Sequence, residues 1–164
     1  MKTLQILIAI IFTAGFHVKA QKAGVNAAQV LGSYYEVKNA LVRSDNSLTA
    51  EKASALAKLA ADFDTNISQA DRAPAIKAII SRLVADAQSV GATKDLNRQR
   101  SGFAALSADI YSLAKTLPLS DKPIYQAYCP MKKGYWLSAE PAIKNPYYGA
   151  AMLTCGKVSE TINP

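Results

Sequence analysis

Histidine occurs once in the 164 residues, as His17, and cysteine only twice, as Cys129 and Cys155. His17 lies in a segment that reads as a removable export leader, so the mature chain has no imidazole. A Ser-His-Asp or Cys-His catalytic pair then lacks its ordinary neutral-pH base, and histidine-ligated zinc is excluded for the same reason. No apolar run reaches the roughly 20 residues needed to span a bilayer, so the chain is expected not to cross a membrane. Removing Lys2 and Lys19 with the leader leaves 17 basic against 12 acidic residues, a formal charge of +5, scattered rather than striped. Mixed charge of this kind reads as a solvated surface, and nucleic acid is not an expected partner. No carboxylate or lysine pair stands at a spacing that singles it out for acid-base work, so the chain reads as a non-enzyme.

The leader itself has three parts. Lys2 supplies the positive end, Leu4 to Phe12 the apolar run, and Val18-Lys19-Ala20 the small-residue cleavage pattern. Cleavage near Ala20 predicts a periplasmic or secreted protein. No cysteine follows the apolar run to carry a lipid anchor. Residues 21–164 then suit one domain with a single core.

Within that domain two regions differ in composition. Residues 26–117 are rich in Ala and Leu with helical periodicity, whereas 118–164 are rich in Pro, Gly, Tyr and Lys. Four amphipathic segments are predicted in the first region. The first places Leu31, Tyr34, Tyr35, Leu41 and Val42 on one stripe and ends near Arg43. The second carries Leu56, Leu59, Ala60, Phe63 and Ile67, with Ser47 or Thr49 as its N-cap. The third starts at Asp71 or Arg72, tolerates Pro74 in its first turn, and aligns Ile76, Ile79, Ile80, Leu83, Ala87 and Val90. Gly91 is the expected left-handed residue just past its end. The fourth runs from about Asp95 through Leu96, Phe103, Leu106, Ile110, Leu113 and Leu117, until Pro118 stops it. Each stripe covers about half a helix, and short connections favour antiparallel neighbours. The expected fold is all-α: an up-down four-helix bundle with an irregular C-terminal segment packed on it. Asp62-Phe63-Asp64-Thr65-Asn66 resembles half a calcium loop, but the sixth and twelfth positions hold Ile67 and Ala73 instead of Gly and Glu. It is read as the polar end of the second helix.

The chemistry of the chain is concentrated in the tail. Tyr128-Cys129-Pro130-Met131 and Met152-Leu153-Thr154-Cys155 set two sulfur pairs in mirrored order, with Asn145-Pro146 and several glycines between them to let the chain double back. Thiolate and thioether sulfurs suit Cu(I) or Ag(I), which makes Cys129, Met131, Met152 and Cys155 candidate ligands. A disulfide between Cys129 and Cys155 is the competing reading. It would stabilise the domain by roughly 3 to 4 kcal/mol, with the methionines as apolar filler. Six aromatics crowd the same region: Tyr125, Tyr128, Tyr135, Trp136, Tyr147 and Tyr148. They either cover the open end of the bundle or form a docking face for an envelope partner.

These tail motifs, with Gly-Tyr-Trp-Leu-Ser at 134–138, Ile143 to Gly149, and an Arg-Gln-Arg-x-x-Phe-x-x-Leu-Ser pattern at 98–107, resemble one domain family of unknown function among exported Bacteroidota proteins. Members of that family occur alone or fused to periplasmic adaptor subunits of copper/silver-type efflux pumps. The resemblance spans nearly the whole mature chain and implies a role near heavy-metal handling, with an efflux adaptor or another envelope protein as partner. Tyr-Cys-Pro-Met is also similar to a short heavy-metal-binding module, which continues with His-Pro where this chain has Lys132-Lys133. The second half of that module has two cysteines where this chain has only Cys155. Two functions are therefore expected: a soft-metal-binding accessory protein, or a disulfide-stapled interaction module.

Overall fold

The structure is a computed structural model, and residues 25–63 and 71–164 are described. The expected leader, residues 1–20, Asp64 to Asn66 of the calcium-like motif, and Ile67 of the second predicted stripe lie outside the described residues. Four helices form where periodicity predicts them: α1 (Ala27–Val42), α2 (Asn46–Ala61), α3 (Ala73–Gly91) and α4 (Leu96–Thr116). Their starts are chemically specified. Asn26 accepts the Gln29 N–H while the Gln29 side chain accepts the Asn26 N–H, a reciprocal capping box. Asp95 accepts the Asn97 and Arg98 N–H groups at the start of α4.

Two local expectations need correction. The cap of α2 is Asp45, not Ser47 or Thr49, because Ser44 takes a left-handed conformation (φ 56°) and turns the chain at least two residues sooner. Gly91 is the last residue of α3 and not the left-handed residue beyond it. Its missing side chain serves packing: a Cβ there would stand 2.5 Å from Ser54 Oγ on α2.

Each helix packs chiefly on its neighbour in sequence, α1 on α2, α2 on α3 and α3 on α4, whereas α1 and α4 meet only slightly. That opening is where the tail docks, and here the all-α expectation fails. Residues 124–162 contain a three-stranded antiparallel sheet of order β2-β1-β3, made by β1 (Ile124–Cys129), β2 (Gly134–Ser138) and β3 (Lys157–Ile162), with a short 3₁₀ turn η1 at Gly149–Met152. The strands escaped the periodicity reading for a physical reason. Trp136, Leu137 and Ser138 are buried in succession, because α4 packs against β2 and Tyr147 meets Trp136 edge-on. A shift of register between Gln126 and Ala127 also breaks alternation along β1. One continuous core runs from Val30 and Leu56 through Phe103 and Ile110 to Ala127, Trp136 and Tyr147.

Candidate soft-metal centre

Strand pairing brings the two cysteines together. Cys129 ends β1 and Cys155 lies just before β3. These strands run antiparallel with Tyr128 opposite Lys157, so the two sulfur-bearing residues converge at one end of the sheet. Their Sγ atoms stand 3.7 Å apart, and both are free thiols. Gly156 permits this convergence. Its φ of 143° is open only to glycine, and a Cβ would press on the Tyr128 carbonyl at 2.9 Å and on the Trp136 ring at 3.0 Å.

Asn145 holds the pair from beneath. It is fully buried, and its side chain donates to the Cys155 carbonyl at 2.8 Å and accepts the Tyr147 N–H at 2.8 Å. Its backbone donates to the Leu153 carbonyl and accepts the Gly149 N–H. One residue thus ties both ends of the returning loop. Asn145-Pro146 reads in sequence as a turn; that the asparagine would be buried and four times bonded has no signal in one sequence.

The two thiols are electrostatically unlike. Burial pushes the Cys129 thiol up. Hydrogen bonds from the Lys132 N–H, the Asn145 side chain, the Cys155 thiol and the Met131 N–H outweigh it, and the group lies below its ordinary value. The Cys155 thiol is raised, first by its hydrogen bond to Cys129, then by burial and by the neighbouring charge. The pair therefore loses its first proton as a unit, with the charge on Cys129 and Cys155 donating to it. A thiolate held by backbone N–H groups is the form that ligates metal or attacks electrophiles.

The methionines stand differently. Met131, in the β1–β2 turn, is 63% exposed, and Met152, at the end of η1, is 39% exposed. It is their backbones that serve the pair: the Met131 N–H faces both sulfurs, and the Met152 carbonyl accepts the Cys155 N–H at 3.1 Å. Of the four predicted ligands, the structure joins the two cysteines and leaves both thioether side chains at the surface. No cluster of three or more His, Cys, Asp or Glu residues occurs among the described residues. The aromatics likewise divide. Trp136 and Tyr147 are buried, whereas Tyr135 is 47% exposed, with its ring against Tyr128.

A second polar network fastens this end of the sheet to the bundle. Tyr34 on α1 accepts the Leu137 N–H at 3.0 Å and pairs with Ser107 Oγ on α4 at 2.7 Å. The Tyr147 hydroxyl donates to the Tyr135 carbonyl, and its ring meets Phe103 edge-on. This arrangement explains the 98–107 pattern. Gln99 donates to the Asn46 and Thr93 carbonyls and clamps two loops, Arg100 donates to Ser44, Phe103 and Leu106 fill the core, and Ser107 meets Tyr34. The motif is the socket on which the tail sits.

No curated protein and no solved structure matches the chain. One family does match, over residues 30–122, a stretch that comprises the bundle and the linker and ends before the cysteines. The chain thus belongs to the family described as protein of unknown function DUF3347.

Proposed function

We propose that this is an exported, non-enzymatic accessory protein that holds Cu(I) or Ag(I) as cargo at Cys129 and Cys155, for hand-over to a heavy-metal efflux adaptor. The observation that carries the reading is the meeting of two free thiols from distant parts of the tail, 3.7 Å apart, one of them buried and favoured as the thiolate. At that separation both sulfurs could reach one soft cation, with room for further soft donors. Met131 and Met152, whose exposed side chains border the pair, are the thioether donors that would complete such a site. The export leader and the resemblance to adaptor-fused proteins support the compartment and the partner.

A competition titration of the reduced protein with Cu(I) tests this. Tight binding of one equivalent is expected, lost in a Cys129→Ser, Cys155→Ser double variant. Equal affinity in wild type and variant overturns the proposal.

The same sulfur contact favours a second reading, in which the thiols are oxidised to a staple and exposed Tyr135 and Met131 dock on an envelope protein. Intact mass with and without reductant separates the two: a gain of about 2 Da on reduction of freshly exported protein supports the staple.

A further inference from the structure

Away from the sulfurs, a pocket of about 140 Å³ opens where α1 meets the chain leaving β2, lined by Tyr35, Lys38, Asn39, Ser138, Glu140 and Lys144. With Ala139 these make seven lining residues, of which five carry a side-chain hydrogen-bond donor and only Glu140 brings a negative charge. Lys38 is 5% exposed, yet among the described residues it makes no ion pair and no side-chain hydrogen bond; its Nζ lies 5.8 Å from the centre of the Tyr35 ring. The Tyr35 hydroxyl is itself buried and without a partner. Ser138 Oγ already accepts the Glu140 N–H, which leaves its proton free to be donated. Glu140 stands 3.8 Å from Lys144, and both are more than half exposed, so solvent screens that pair and it does little for Lys38. The Lys38 stem is buried and its ammonium has only the screened Glu140 carboxylate to set against Lys144, so two ammoniums share one small space with a single negative group.

We propose that this pocket binds a small oxyanion, the shared chemistry of a phosphate and a carboxylate, between Lys38 and Lys144, with the Ser138 hydroxyl as a third donor. The site is independent of the cysteines and stands whether or not they bind metal. Its pH dependence follows from the charged groups facing Lys38, which are Lys144 and Glu140. Burial first, and then the charge on Lys144, lower the Lys38 ammonium to about 8, with Glu140 partly opposing them. An anion favours the protonated amine, so binding takes up a proton. Affinity is level below pH 8 and falls above it.

Inorganic phosphate and, in parallel, sodium acetate are titrated into the protein at constant ionic strength while backbone amide resonances are followed by NMR. With at least one of the two anions, saturable shifts concentrated at residues 35–39 and 138–144 are expected. Lys38→Met should weaken binding about tenfold or more, and Lys144→Gln several-fold, as loss of a charge-assisted contact does. Lys122→Gln, away from the pocket, should leave it unchanged, and acetate affinity should drop from pH 7 to pH 9. Should Lys38→Met fail to fold, Lys144→Gln at the open rim carries the test alone. Shifts that stay linear with both anions, or affinity unchanged in both pocket variants, overturn the proposal.

Discussion

The bundle and the tail are held together by different physics. In the bundle, stability is spread over many interchangeable apolar contacts, with Leu56, Ile76, Leu83, Phe103 and Ile110 all fully buried. In the tail, a few polar side chains carry the arrangement: Asn145 ties the returning loop to Cys155, and Tyr34 reaches from α1 to the backbone of β2. A distributed core tolerates imprecision, whereas single hydrogen bonds place atoms to within tenths of an ångström. The meeting of the two thiols rests on the second kind of support, built on the first.

That contrast can be broken at either end. The largest effect is expected from Leu83→Ala in the α3 core, which should lower unfolding stability by about 3–5 kcal/mol in chemical denaturation. It should leave the thiols' behaviour intact in the molecules that remain folded. Next, Asn145→Ala strips the Cys155 carbonyl and the Tyr147 N–H of their partners, at about 2–4 kcal/mol. Unlike Leu83→Ala, it should also raise the pKa of the first thiol, because a donor to the Cys129 thiolate is gone. Tyr34→Phe keeps the stacking on Phe103 but leaves the Leu137 N–H unpaired, and should lose about 1–2 kcal/mol. Amide exchange then rises in β2 before it rises in α2. Least in energy but most local is the thiol titration, followed by thiolate absorbance. Two steps are expected, one below and one above the ordinary thiol value of 9.0. A single step at that value would mean that the sulfurs do not interact.

Legibility in sequence divides along the same line. Helical stripes such as Ile76, Ile80, Leu83, Ala87 and Val90 are read directly, since spacing alone says which face is buried. Asp95 and Pro118 mark the limits of α4 as plainly. The strands are not legible, because burial of three consecutive residues in β2 erases the period-two signal and Pro130 to Lys133 looks like loop. In the candidate site, Cys129 and Cys155 stand out by rarity. Tyr34 and Ser107 do not, because their roles exist only once residues 73 or 103 positions apart are in contact, and Asn145 does not, because a turn asparagine carries no mark of its burial. The methionines are legible as soft donors but not as surface residues, since no pattern distinguishes a rim from a core.

The most direct test of the central claim is X-ray absorption at the copper edge on reduced protein carrying one equivalent of Cu(I). The account predicts a first shell of sulfur alone at about 2.3 Å, absent when both cysteines are serine. A shell of nitrogen or oxygen, or an unchanged spectrum in that variant, would contradict it.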